Sequence, residues 1–229
     1  MPRDFRTRLI RRASKMGVPL AEELALHLSV YYELLERWNR KINLTSLDDP
    51  DEAIDRLLLE PVVAARAVAT TSIRELIDIG SGGGSPALPL AMALGPQVRL
   101  TLVEVKARKS AFLREAVRHL DLHNAVVENA RCEELLGRPE LLEHFDLLSV
   151  RAVRVEARML MTFQAFLRPG GHLLLFRGPS GPDVPGHIIH PLEFDSTVPL
   201  LDSLQSRLSL LRKRTVGAMF HVEHRRTDQ

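Results

Sequence analysis

Leu76-Ile77-Asp78-Ile79-Gly80-Ser81-Gly82-Gly83-Gly84-Ser85-Pro86 passes from an apolar run through an acid into a string of glycines. Its reading sets the fold class. Leu76, Ile77 and Ile79 suit a parallel strand buried on both faces. The glycines that follow make a turn whose backbone lies bare to a ligand. Pro86 favours a helix start, so a helix over 86–95 is expected, with its first N–H groups turned toward the loop. Strand, glycine turn and helix together describe a nucleotide-type ligand site.

Working downstream, the pattern gives a strand at 98–104, a helix at 107–121 and a strand at 124–128. With strand 74–79 this is βαβαβ, an α/β class with a right-handed parallel sheet. Short helices around 132–143, a strand at 145–150, a helix at 154–167 stopped by Gly170 and Gly171, and a strand at 172–176 continue it. A glycine- and proline-rich stretch at 178–186 reads as a mobile loop, and strands at 187–198 and 207–219 complete the sheet. Upstream, Leu24, Leu28, Tyr31, Leu35, Trp38 and Ile42 recur at helical spacing, which predicts one amphipathic helix from Leu20 to Leu44. Asp48, Asp49 and Pro50 signal a second helix over 51–67, bent by Pro61. The expected organisation is a helical extension over 1–70, an α/β domain over 71–219 and a tail over 220–229.

Bulk properties restrict the function classes. A chain of 229 residues, 45% hydrophobic and 26% charged, has enough apolar content for a full α/β core. One cysteine, Cys132, permits neither an internal disulfide nor a cysteine-rich metal cluster, and no apolar run is long enough to span a membrane. A cytoplasmic monomer with no membrane partner is expected. Net charge is +2, yet residues 1–15 carry six basic side chains against Asp4, an excess of +5 that leaves −3 for the remainder. That segment reads either as a phosphate-holding arm or as a solvated terminus. Two histidines and a carboxylate in Met219-Phe220-His221-Val222-Glu223-His224 are too weak a pattern to predict a metal site.

The spacing Gly80-x-Gly82-x-Gly84 differs from the dinucleotide fingerprint, and no Gly-Lys-Ser or Gly-Lys-Thr follows it. Asp78 would repel a pyrophosphate but suits a cation. S-adenosylmethionine carries an ammonium and a sulfonium and has no phosphate. Glu104, at the end of the second strand, is placed to accept from ribose hydroxyls. Asp78, Gly80, Gly82 and Glu104 are therefore candidate cofactor residues.

Five segments together resemble the bacterial 16S ribosomal RNA (guanine-N7) methyltransferases, the glucose-inhibited division protein B family. They are Leu35-Glu36-Arg37-Trp38-Asn39-Arg40-Lys41-Ile42-Asn43-Leu44-Thr45, the glycine stretch 78–86, Arg108-Lys109 with Phe112-Leu113, Arg131-Cys132-Glu133, and Ser149-Val150-Arg151-Ala152. The resemblance implies a Rossmann-like class I methyltransferase fold, with a seven-stranded mostly parallel sheet, helices on both faces and an N-terminal helical extension. It also implies methyl transfer from S-adenosylmethionine to a guanine N7 in the 530-loop region of 16S ribosomal RNA, and a cofactor site lined by Gly80, Ser85, Cys132, Glu133 and Arg151. Three departures stand out. Arg56-Leu57-Leu58-Leu59-Glu60-Pro61 replaces the usual Arg-His-x-x-Asp-Ser, Pro86-Ala87 replaces Pro-Gly, and Arg177-Gly178 replaces Lys-Gly.

Guanine N7 offers an in-plane lone pair while the base is neutral, so transfer to it needs alignment rather than a general base. No catalytic acid or base is assigned. Arg151 is expected to contact the cofactor or to donate to guanine O6. Arg40, Lys41, Arg56 and Arg177 are candidate contacts to the phosphates of 16S rRNA or of the small ribosomal subunit. The missing histidine leaves open a methyltransferase acting on another RNA or a small molecule, or a non-catalytic RNA-binding assembly protein.

Overall fold

The computed structural model describes residues 2–45, 49–69, 72–151, 155–180 and 188–215. The tail 220–229, most of the expected loop at 178–186, the start of the expected helix at 154–167 and the outer ends of the last two expected strands lie outside them. Strand β1 (Glu75–Ile79) is buried at all five residues. It pairs in parallel with β2 (Arg99–Val103) on one side and β4 (Phe145–Arg151) on the other. With β3 (Ala125–Glu128), β5 (Leu167–Arg177), β6 (Leu192–Pro199) and β7 (Arg207–Lys213), the sheet runs β3-β2-β1-β4-β5-β7-β6. The first five strands are parallel, while β7 is antiparallel to both its neighbours.

Helices cover both faces, as the βαβ crossovers require. On one face, α5 (Ala87–Leu94) and α6 (Ala107–His119) share a hydrophobic core with α1 (Pro2–Lys15), α2 (Glu22–Asn39), α3 (Pro50–Ile54) and α4 (Glu60–Val68). Trp38 meets Phe112 edge-on at 5.9 Å, and Phe5 stacks on Tyr32 at 4.4 Å. The opposite face is closed by α7 (Ala157–Phe166) through Leu160, Phe163 and Phe166.

Several expectations need correction. The helix predicted to Leu44 ends at Asn39. Its carboxamide oxygen accepts from Leu44 and Thr45 N–H at 2.8 and 3.0 Å and its amide donates to the Thr45 carbonyl at 2.9 Å, folding the next six residues into a turn. The basic N-terminal segment is a helix, not a free arm. Arg12 pairs with Asp55 at 2.6 Å and Asp51 at 3.0 Å, and Arg8 also binds Asp51, so part of its charge is neutralised internally. Asp49 caps α3 through Asp51 and Glu52 N–H. The predicted helix then passes through a π-turn, Asp55–Leu59, rather than a simple bend. Gly170 and Gly171 do not stop a helix. They lie within β5, where a Cβ on Gly171 would come within 2.9 Å of the Phe145 carbonyl, beside the register shift between Phe145 and Leu147.

Candidate functional site

Strand order reverses between β1 and β4, and in open α/β sheets the crevice beyond the carboxyl ends of such strands is where ligands sit. Here a cavity of about 660 Å³ opens there. Asp78, the glycine loop, Ser85, Lys106 and Lys109 line one side. Tyr31, Leu35, Leu44 and Thr45 of the N-terminal segment close over the loop, while Arg56, Leu57, Glu60, Phe176 and Arg177 wall the far side, with Arg151 between.

Asp78 is almost completely buried. Ser149, its partner across the β1–β4 ladder, donates its hydroxyl to the Asp78 carboxylate. Burial raises the Asp78 pKa to about 6, an effect reduced by hydrogen bonding and by Arg151. Among the described residues no cation pairs with it directly. Ahead of it, Gly80 holds a positive φ of 77°, and a Cβ built there meets nothing within 4 Å, so the backbone is open to the cavity. The expectation of free N–H groups at the start of α5 holds only for Ala87, whose N–H has no partner among the described residues. Leu88 N–H donates to the Gly84 carbonyl at 2.7 Å, and Pro86 and Pro89 have no N–H. This end of the helix is poorly equipped for a phosphate.

Arg151 ends β4 and is enclosed, its charge compensated on three sides. Nη2 donates to Glu60 Oε2 at 2.5 Å, and Nη1 donates to the Arg56 carbonyl at 2.6 Å and to Ser85 Oγ at 3.1 Å. The guanidinium also lies 4.7 Å from the centre of the Phe176 ring. Desolvation lowers its pKa, opposed chiefly by Glu60. The π-turn explains the carbonyl contact. Glu60 N–H bonds back to Asp55, and Pro61 has no N–H to give, so the Arg56 carbonyl loses its π-helical partner and accepts from Arg151 instead. Ser85 similarly donates to Leu57 O at 2.9 Å.

Other predicted residues are arranged differently. Both Glu104 oxygens accept backbone N–H groups, from Gly82 at 2.9 Å and Lys106 at 2.8 Å, so this carboxylate holds the glycine loop to β2 and keeps an acceptor site on each oxygen. Cys132 and Glu133 begin a 3₁₀ turn after β3, away from the cavity wall, and burial pushes the Cys132 thiol up to about 11. Arg40 and Lys41 are exposed at the end of α2. Arg56 is paired with Glu52 at 2.7 Å, while Arg177 has a buried Nε with no partner among the described residues.

Sequence patterning missed Tyr31 and the role of Glu60. Tyr31 was legible only as one of the apolar positions of α2. Its buried hydroxyl donates to the Gly83 carbonyl at 2.6 Å, tying the helical extension to the glycine loop.

The profile of the family described as rRNA small subunit methyltransferase G, GidB, matches residues 25–183. A Ribosomal RNA small subunit methyltransferase G from Stenotrophomonas maltophilia is 39% identical over 178 residues, 78% of this chain and 79% of that one. The protein of the same name from Xanthomonas axonopodis pv. citri is 40% identical over 148 residues, covering 65% and 66% of the two chains. Among solved structures, a SAM-dependent methyltransferase from Aquifex aeolicus has a TM-score of 0.55 at 14% identity, covering 74% of this chain and 95% of that one. A variant of MtNAS in complex with S-adenosylmethionine has a TM-score of 0.55 at 15% identity, covering 84% and 78%. These two show the fold. With most of its length matched by the profile, the chain belongs to the rRNA small subunit methyltransferase G family.

Proposed function

We propose that the cavity at the β1–β4 switch point holds S-adenosylmethionine against the glycine loop and receives a guanine of 16S ribosomal RNA on its Glu60 and Arg177 side. Membership in the family makes the chain an S-adenosylmethionine-dependent rRNA methyltransferase. The carrying observation is Asp78, a buried carboxyl facing the cavity with a hydroxyl partner and, among the described residues, no paired cation. It suits a ligand that brings its own ammonium. Absence of a phosphate cradle at the start of α5 and the open backbone at Gly80 fit the same ligand.

When bound, the cofactor supplies a methyl group on a cationic sulfur. The chain contributes position and electrostatics. Asp78 would accept from the ammonium, Gly80 and Gly82 offer backbone, and Glu104, which fixes the loop, is assigned to the ribose hydroxyls. Ser85 and Arg151 hold the boundary between cofactor and acceptor. Cys132 and Glu133, at the start of the 3₁₀ turn after β3, are assigned to the border of the adenine. Arg40, Lys41, Arg56 and Arg177 are assigned to RNA phosphates, which fix register without reading sequence. Guanine N7 needs only its lone pair aligned with the methyl carbon and the departing sulfur, so no general base is assigned.

No helix among the described residues is long and apolar enough to cross a membrane, and on this reading the chain acts in the cytoplasm as a monomer. Transfer of labelled methyl from the cofactor to purified small subunits and to naked 16S RNA tests the assignment. Incorporation into a single guanine, lost on removal of the N7 acceptor by 7-deazaguanine substitution, is expected. Incorporation only into another RNA would overturn the acceptor. Absence of cofactor binding by calorimetry would overturn the enzyme reading altogether.

A further inference from the structure

Glu60 is a buried carboxylate whose use is only half explained by its ion pair. It sits directly after the π-turn, with its side chain 6% exposed, on the wall of the cavity. Oε2 accepts from Arg151 at 2.5 Å. Oε1 takes no hydrogen bond from any described residue, and it is not among the fully enclosed polar atoms that lack a partner. It therefore faces the cavity. A carboxylate has about four acceptor sites, and Glu60 uses one. Its charge is balanced by Arg151, and that pair is held in place by Ser85 and the Arg56 carbonyl. An anionic acceptor fixed in this way is built to receive N–H donors from a neutral ligand.

We propose that Glu60 determines specificity for guanine by accepting the N1–H and the exocyclic N2–H of the acceptor base. The proposal rests on reading the cavity as an rRNA guanine-N7 site. Guanine alone among the four bases presents two adjacent N–H donors on its pairing edge. Adenine offers an N1 acceptor next to its amino group, cytosine an N3 acceptor next to its amino group, and uracil a single N–H between two carbonyls. Each of these places an acceptor lone pair against the carboxylate. The pairing edge also lies across the purine from N7, so a base held there keeps its methyl-accepting lone pair free. Use of that edge requires the base to be unpaired from any partner.

The contact strengthens during the reaction. As the N7–carbon bond forms and the carbon–sulfur bond breaks, the positive charge passes from sulfur to the purine and the electron pair of the broken bond remains on sulfur. The purine cation is a stronger N1–H donor than neutral guanine. A fixed carboxylate therefore binds the product-like transition state more tightly than the substrate.

The test compares small-subunit RNA carrying guanine at the target with RNA carrying inosine there, which lacks only the N2 amino group. For the full-length wild-type chain, kcat/KM on inosine is expected to be about 10- to 100-fold lower than on guanine, the range for one hydrogen bond to a charged group. In Glu60→Gln, activity on guanine falls and the guanine-to-inosine ratio shrinks toward 1. Cofactor affinity measured by calorimetry stays near wild type and shows that the variant is folded. An unchanged ratio in Glu60→Gln would overturn the proposal and leave Glu60 as an anchor for Arg151. So would a wild-type chain that uses both RNAs equally. A wild-type chain that binds the cofactor but methylates neither RNA would refute the underlying acceptor reading, and the proposal with it.

Discussion

The two ends of the central strands β1 and β4 both carry buried charge, and they treat it in opposite ways. At the amino-terminal end, Asp146 accepts backbone N–H groups from Arg74 and Glu75 at 2.6 and 2.8 Å and pairs with Arg168 at 2.5 Å. Glu75 is bound by Arg99 and lies 3.4 Å from His144. Each carboxylate there is paired with a guanidinium outside the cavity, and Asp146 also takes two backbone N–H groups. At the carboxyl-terminal end, among the described residues, Asp78 has Ser149 and no cation, and Glu60 has Arg151 on one oxygen only. Charges of the first kind close the sheet. Charges of the second kind line the cavity with acceptor capacity open to a ligand, so it is position at the cavity, more than completeness of hydrogen bonding, that sets the two ends apart.

Removing a charge at each end should separate stability from binding. Asp146→Ala leaves the half-exposed Arg168 free to turn to solvent but strands two backbone donors without their acceptor, at about 1–3 kcal/mol each. Urea denaturation should show that loss, with cofactor affinity in the folded fraction close to wild type. Asp78→Asn should do the reverse. It keeps the shape and a hydrogen bond to Ser149 but removes the anion, so cofactor affinity by calorimetry falls about 10- to 100-fold, the range for a charge-assisted hydrogen bond. Equal effects of both variants on binding would break the distinction.

The same contrast has a pH signature. The Asp78 pKa is about 6 in the folded chain against an ordinary 3.8, because burial disfavours the anion. The folded state therefore holds this proton more tightly than the unfolded state. The associated stabilisation is fully present below about pH 4 and is lost as pH rises through 6. Wild type should be less stable than Asp78→Asn at pH 8, and the gap should close by pH 4. Cofactor binding runs the other way: affinity is constant above pH 7 and weakens by up to about tenfold per unit below 6, where the anion is lost. Parallel titrations of Tm and of cofactor affinity would expose any other group as the source.

How much of this was legible in the sequence depends on the distance over which each residue is determined. The strand and glycine turn at 76–86 are local, and period and composition identified both, as well as the parallel sheet. The place of Asp78 beside the cavity was also readable, because it lies at the end of a buried strand that runs straight into the glycine turn. Glu104 illustrates the limit. Its position at a strand end was clear, but its engagement by Gly82 and Lys106 N–H depends on how the two loops meet. Arg56 was assigned through its side chain, whereas the group that holds Arg151 is its carbonyl, exposed by a π-turn that no residue spacing announces. The early end of α2 was present in Asn39 yet unreadable without knowing which backbone groups its carboxamide would reach.

Tyr31 provides the finest probe of the comparison, because it links the helical extension to the ligand end of the sheet through one hydrogen bond. Its hydroxyl is fully buried, its pKa is pushed upward by desolvation, and it donates to the Gly83 carbonyl at 2.6 Å. Tyr31→Phe removes only that donor and leaves the carbonyl with one fewer partner, a change worth about 1–2 kcal/mol. If the bond served packing alone, the whole effect would appear as lower stability, as for Asp146→Ala but smaller. Gly83 is three residues beyond the backbone at Gly80 that faces the cavity, and Gly82 between them is pinned by Glu104. Loosening one of two restraints on so short a loop should raise the entropy of the free site. We therefore expect cofactor affinity to fall about threefold, with the loss larger in entropy than in enthalpy by calorimetry. Affinity equal to wild type alongside reduced stability would show that Glu104 alone sets the loop and that the helical extension contributes to the fold without contributing to cofactor binding.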